Sequence, residues 1–470
     1  MRRIVIAMLL VAWCWSSAAD PGQDFAAQMQ LLETWVGELM AYYRLPGLAI
    51  GVVRDQELVY AKGFGYADLR TKAPVTPRTL FRVASITKLF TATAVMQLRD
   101  AGKLALDDPV QKYLPWFSLQ GRRPEWPAVT IRQLLTHTSG IPREAAFPYW
   151  TDHRFPAREE MVAKLPTQEM VFQPETRWKY SNLGMALLGE IVAVVSGTPY
   201  TQYVTEHILR PLGMNSSLLE VAPGTPGLAT GYLRHVEGKG REVAPFTDAR
   251  GLTAAANLAS NLEDMGRFCA LQFRYDDFSP QAVLKGSTLR EMHRVHWLRP
   301  DWQSGYGLGF SVRRVGGRTV VGHAGWVAGY RSQVLLAPEE KVAAIVFCNT
   351  EDFDPNTIAV KALGLAAETL GAKPAKVPSA FDSTWVRFVG AYEDPTHWRT
   401  DVLLLGTRLY LYGFSYPPED DPTEALVELE PIGPATFRRA SDGEPVSFEM
   451  DVRGRVLRVK VGENFIYPIR

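Results

Sequence analysis

The period at which apolar residues recur changes several times along this chain, and those changes divide it into elements. From Asp24 to Leu45 the residues Trp35, Leu39 and Tyr42 fall at helical spacing, which predicts a helix with those three on one face, ended by Pro46-Gly47. Two strand-like runs follow, Leu48 to Val53 and Leu58 to Phe64, joined by the polar turn Arg54-Asp55-Gln56-Glu57. Leu89 to Ala101 reads as a buried helix with Gly102 as its C-terminal cap. From Ser85 to about Ser260 the chain is mostly helix and loop, punctuated by prolines at 109, 115, 124, 127, 142, 148 and 156. Within it the aromatic stretch Ile141 to Phe155 either rims a pocket or packs its own aromatics as a surface loop. Strand signals return near Tyr306 and continue through Leu335-Leu336 and Val342 to Phe347, the last two joined by Ala337-Pro338-Glu339-Glu340-Lys341. A helix from Asn356 to Leu370 closes this region. Strands at both ends with helices between them imply a mixed α/β (α+β) fold, an antiparallel sheet flanked by helices with an inserted helical lobe.

At Gly371-Ala372-Lys373-Pro374-Ala375-Lys376-Val377-Pro378 the character changes to that of a linker. Beyond it come short strand signals at Val402 to Leu405, Arg408 to Tyr412, Val446 to Met450 and Val456 to Val461. Leu457, Val459 and Val461 alternate with Arg458 and Lys460, which predicts one buried face, and Asp451-Val452-Arg453-Gly454-Arg455 reads as the hairpin turn before them.

Composition narrows the field. The 470 residues are 46% hydrophobic and 21% charged, enough to bury a substantial core. A net charge of +1 without a basic patch argues against nucleic acid as a partner. The run Ile4 to Trp15, preceded by Arg2 and Arg3 and followed by Ser17-Ala18-Ala19, has the pattern of a secretory signal peptide cleaved after Ala19, and is short for a stable membrane span. Export to the periplasm or medium follows as an expectation. Cys269 and Cys348 sit in apolar runs and read as buried small hydrophobes. His293 and His296, spaced i, i+3, have no patterned acidic or cysteine partner, so a solvated helix face is expected there; neither a metal nor another cofactor is.

The chemistry is concentrated in three short motifs. Ser85 is followed by Lys88, one helical turn away on the same face, within reach of the hydroxyl proton that a serine must lose to become a nucleophile. Placed at the start of a helix, Ser85 also has backbone N–H groups suited to a developing oxyanion. Tyr180-Ser181-Asn182 lies at a loop-to-helix junction. Tyr180 can ionise beside a lysine and act as base, and Asn182 can hold a substrate amide or, alternatively, cap the helix. His323-Ala324-Gly325 lies between strand-like runs, where small residues allow a substrate backbone to approach the strand edge and the N–H of Trp326 can pair with that of Ser85 around an oxyanion.

In this order the three motifs resemble the serine β-lactamase and penicillin-binding protein superfamily, and more closely its class C-like branch of β-lactamases, esterases and D-stereospecific peptidases. The stretches Leu104 to Val110, Leu134-Leu135-Thr136-His137-Thr138-Ser139-Gly140 and Gly305 to Phe310 resemble that branch too. With the signal peptide expected over 1–19 and the linker over 373–380, the resemblance implies a β-lactamase-like catalytic domain over 20–372 and, over 381–470, a small lipocalin-like antiparallel β-barrel that either restricts substrate size at the cleft or stabilises the fold. It implies Ser85 as nucleophile, Lys88 and Tyr180 sharing the proton work, Asn182 touching substrate, and Ser85 and Trp326 as oxyanion donors. His323 stands where many members carry lysine, a permanent cation that pairs with the β-lactam carboxylate. An imidazole is mostly neutral at pH 7, so cleavage of small esters, amides or D-amino-acid peptides becomes the leading expectation. A β-lactamase, or a penicillin-binding-type sensor acylated without turnover, is the alternative.

Overall fold

Val342–Cys348 is apolar and buried at every position, the signature of a strand covered on both faces. The computed structural model describes residues 21–277, 279, 283–370, 382–405, 408–413 and 425–469, and in it this strand is central. The expected signal peptide and the expected linker lie outside those residues. The chain divides into two compact units, 1–372 and 373–470.

In the first unit a nine-stranded antiparallel sheet runs, edge to edge, through Ala73–Pro74, Glu57–Asp68, Gly47–Arg54, Val342–Cys348, Tyr330–Ala337, Arg318–Val327, Ser311–Val315, Ser304–Tyr306 and Trp297–Leu298. The first hairpin thus meets the last strand, with Leu48 opposite Cys348 and Arg54 opposite Val342. Alternation along these strands feeds two separate cores. Leu48, Ile50, Val52, Val342, Ala344 and Val346 face one side; Ala49, Val53, Ala343, Ile345 and Phe347 face the other.

The first side is covered by the helices Pro21–Tyr43 and Asn356–Leu370. The N-terminal helix docks through Met29, Leu32 and Val36 rather than through the expected stripe: Trp35 and Leu39 are only partly buried and Tyr42 is exposed. That stripe is one residue round the helix from the one that docks, and the spacing i, i+3, i+7 of the true stripe satisfies the same periodicity. The second side carries the helical lobe, in which Thr87–Asp100 and Asn182–Ser196 pack together. Phe90 stacks on Phe268 with ring centroids 4.0 Å apart.

Cys269 and Cys348 are buried and unbridged. The expected solvated histidine face is not found. His293 ends the helix Gly286–His293 inside the core, its ring nitrogens hydrogen-bonded to the Tyr275 hydroxyl at 2.7 Å and the Gln272 amide oxygen at 3.2 Å. His296 lies beyond that helix and hydrogen-bonds the Glu291 carbonyl.

The second unit is a closed eight-stranded antiparallel barrel in which each strand pairs with the next and Asn464–Pro468 returns to Gly390–Glu393. Phe388, Phe437, Phe448 and Val459 fill it. Leu457, expected on the buried face, is exposed. Val456 pairs with Met450 and Arg458 with Glu449, so Leu457 is the extra residue of a bulge, which turns it outward.

Phe347, fully buried, lies 5.8 Å ring to ring from Phe81, just upstream of Ser85. Phe347→Ala is expected to destabilise the first unit by about 3–5 kcal/mol, read from its urea transition. A cost below about 1 kcal/mol would mean that this contact does not hold the Ser85 segment to the sheet.

Candidate active site

Ser85 is presented by a strained turn. Phe81–Arg82 pairs with Ala259–Ser260, and the chain then enters a single 3-10 turn, Ala84–Ile86, that runs into the helix Thr87–Asp100. Ala84 has φ 47°, in the left-handed region, a conformation that costs a non-glycine residue of order 1 kcal/mol or more. The turn is over-determined by its neighbours. Thr87 Oγ1 donates to the Ala84 carbonyl at 2.6 Å and accepts from the Leu258 N–H, and Ser332 Oγ donates to the Val83 carbonyl at 2.8 Å.

Lys88 is fully buried one turn later. Its Nζ donates to Ser85 Oγ at 2.9 Å and to the Ala255 carbonyl at 2.8 Å, and no carboxylate lies within ion-pair distance among the described residues. Burial pushes its pKa well below the ordinary lysine value; Glu144 opposes this and Arg143 adds to it. Tyr180 stands beside both groups. Lys88 Nζ lies 4.9 Å from its ring centroid, and its hydroxyl interacts with Ser85. Here too burial dominates and pushes the phenol pKa up, against the lowering effects of Ser85 and Arg143. The environment therefore favours a neutral amine beside a neutral phenol, whereas the sequence left Tyr180 open as a phenolate base.

Tyr180 is held by the motif that follows it. Ser181, not Asn182, caps the helix Asn182–Ser196, accepting the Gly184 N–H at 2.8 Å. The Ser181 N–H donates to His137 Nδ1 at 3.2 Å, so that nitrogen carries no proton. The His137 ring packs 4.5 Å from Tyr180 and 4.8 Å from Tyr306. Asn182, the first helical residue, donates through Nδ2 to both carboxylate oxygens of Glu144 at 2.9 and 3.0 Å. Since a carboxylate only accepts, these contacts settle which end of the amide faces Glu144. Glu144 also accepts from Arg143 Nε and from the Tyr149 hydroxyl.

His323 lies in the strand Arg318–Val327, whose neighbour Ser311–Val315 pairs with it only as far as Gly322. From His323 onward that edge has no strand partner among the described residues. The imidazole is internally engaged. Nδ1 lies 2.6 Å from the Ala324 carbonyl, which can only accept, so Nδ1 bears the proton; Nε2 then accepts from the Tyr306 hydroxyl at 3.0 Å. Burial pushes its pKa down to about 3. A Cβ at Gly325 would lie 2.1 Å from the Val83 carbonyl oxygen and 2.2 Å from Ser332 Oγ, so the missing side chain lets this strand close on the Ser85 turn. Trp326 is 42% exposed, and its indole stacks on Trp150 at 5.1 Å and 28°.

Ser85, Lys88, Tyr180, Asn182, His323, Gly325 and Trp326 thus gather where the helical lobe meets one strand edge. Sequence reasoning marked Trp150 only within the aromatic stretch Ile141 to Phe155, and it missed Glu144, His137 and Tyr306 as parts of this neighbourhood. The last two lie inside Leu134 to Gly140 and Gly305 to Phe310, stretches that carried a resemblance but no chemical role. Glu144, two residues after the Ile141-Pro142 pair, offered no local signal.

The β-lactamase family model matches residues 32–368. Over 379 residues the chain is 29% identical to penicillin-binding protein 4* of Bacillus subtilis (strain 168), an alignment covering 76% of this chain and 81% of that one. Among solved structures, the octameric penicillin-binding protein homologue from Pyrococcus abyssi superposes with a TM-score of 0.64 at 27% identity, covering 93% of this chain and 99% of that one. A D-stereospecific amidohydrolase from Streptomyces sp. superposes with a TM-score of 0.59 at 26% identity, covering 72% and 98%.

Gly325→Ala must move the Val83 carbonyl and with it the Ser85 turn. Labelling of Ser85 by a fluorophosphonate is expected to slow about 100-fold, with far-UV circular dichroism unchanged. A labelling rate equal to the parent's would show that the tight approach at Gly325 does not position the serine.

Proposed function

The chain belongs to the β-lactamase family of serine hydrolases, and on that premise we propose that it is an exported enzyme that cleaves small esters, amides or D-amino-acid-containing peptides through an acyl-enzyme on Ser85. The observation that carries this reading is the buried, unpaired Lys88 Nζ at 2.9 Å from Ser85 Oγ. An ammonium held there without a carboxylate in contact pays a large desolvation penalty, so the neutral amine is favoured; the 2.9 Å contact then reverses, the Ser85 hydroxyl donating to the amine lone pair that takes its proton. The Ala255 carbonyl meanwhile accepts from Lys88 and keeps the nitrogen aimed.

Ser85 Oγ then attacks the substrate carbonyl while the N–H groups of Ser85 and Trp326 receive the oxyanion. Tyr180, a protonated phenol between Lys88 and the bound substrate, relays a proton to the leaving group. Water cleaves the resulting ester with the same groups acting in reverse. Asn182, oriented by Glu144, contacts the substrate beside the carbonyl.

His323 weighs against efficient β-lactam turnover. A neutral imidazole whose two nitrogens face Ala324 and Tyr306 offers no cation to a carboxylate. The likeness to the Streptomyces amidohydrolase supports D-amino-acid amides as one substrate class to try. The likeness to penicillin-binding protein 4* favours a second reading, acylation without turnover.

Hydrolysis of p-nitrophenyl butyrate by the mature protein is expected to fall by about 10³-fold or more in Ser85→Ala; equal rates in the two proteins would end the assignment of Ser85. In the parent, kcat/KM is expected to fall as the pH drops through the depressed Lys88 pKa and to level off well below pH 10.5, whereas a lysine with its ordinary value of 10.5 would keep raising the rate about tenfold per pH unit up to about that pH. A persistent penicillin adduct on Ser85 by intact mass, with no ester turnover, would favour the second reading.

A further inference from the structure

Trp326 belongs to the sheet and Trp150 to the helical lobe, yet their rings stack, so the pair joins the lobe to the sheet at the strand edge left free beyond Gly322. We propose that this stack is a latch that limits the length of the acyl group the site accepts, a proposal that rests on Ser85 being the nucleophile. Trp326 directly follows Gly325, whose close approach to Val83 puts this part of the strand against the Ser85 turn. An acyl chain running along the free edge past Trp326 meets the indole pair. With centroids 5.1 Å apart, the rings leave no room for a third group between them; stacking an inserted chain between two rings needs about 7 Å. Short acyl groups end before the latch, and longer ones must part it.

The latch is rooted in the site. Trp150 sits on the four-residue turn Tyr149–Asp152 and packs edge-on against Phe155 at 5.2 Å. Its neighbour Tyr149 is fully buried, and the Tyr149 hydroxyl donates to Glu144, the residue that orients Asn182. The partly buried Trp150 and the 42% exposed Trp326 are therefore joined to the catalytic neighbourhood on both sides of the cleft, while their own contact consists of ring stacking alone. Such a contact is weak enough to open and strong enough to discriminate.

The test compares the parent with Trp150→Ala and Trp150→Phe, using p-nitrophenyl ethylphosphonate and octylphosphonate esters that form a Ser85 Oγ–phosphorus bond and release p-nitrophenolate. Relative to the parent, the octyl-to-ethyl ratio of labelling rates is expected to rise about tenfold in Trp150→Ala and to return toward the parent value in Trp150→Phe. Circular dichroism gives an independent readout, since stacked indoles produce an exciton couplet that Trp150→Ala should abolish. An unchanged ratio in folded Trp150→Ala, with the ethyl reagent labelling Ser85 normally, overturns the latch and leaves the nucleophile standing. No labelling of Ser85 by either reagent in the parent overturns both.

Discussion

A lysine side chain with no carboxylate at ion-pair distance among the described residues, enclosed in protein beside a serine hydroxyl, is the constraint around which the first unit is arranged. Taking an ammonium out of water without a partner is expensive, and the least costly response is to release the proton. On the proposed mechanism, that response makes the side chain a base. Everything that touches Lys88 is consistent with it: the hydrogen-bond partners of Nζ are a hydroxyl and a carbonyl, Tyr180 presents a ring face, and Glu144 remains one layer away, occupied by Asn182, Tyr149 and Arg143. A carboxylate in direct contact would stabilise the charged form and remove the base.

The sheet supplies the other half. Because both of its faces are buried, its strands cannot slide without exposing one core, and the register between Tyr330–Ala337 and Arg318–Val327 is fixed. That register sets Gly325 opposite Ser332, whose hydroxyl holds the Val83 carbonyl, and so couples the strand edge to the strained residue before Ser85. The unfavourable φ of Ala84 persists because hydrogen bonds from Thr87 and Ser332 and the short ladder to Ala259–Ser260 all hold the same turn.

Much of this was legible in the chain because it is local. Ser85 and Lys88 are one helical turn apart, the run Val342 to Phe347 announces a doubly covered strand, and Asn356–Leu370 carries its own periodicity. What escaped is non-local or depends on a single residue of register. The docking stripe of the N-terminal helix differs from the expected one by one position, and a bulge at Met450 turns Leu457 outward. His293 reads as a surface residue until Tyr275 and Gln272 close over it. Glu144 and Trp150 have meaning only through partners at 182 and 326, across the helical lobe and the cleft. The neutral state of His323 likewise follows from Tyr306 and its own neighbouring carbonyl, contacts that no spacing rule reveals.

The protonation of Lys88 is open to direct observation. In protein carrying 13C at lysine Cε, the resonance missing from a folded Lys88→Met variant identifies this side chain, and its shift can be followed with pH. A titration midpoint well below the ordinary lysine value is the result expected of a lysine buried without a carboxylate in contact. A midpoint at 10 or above would contradict it, and would return the task of deprotonating Ser85 to Tyr180.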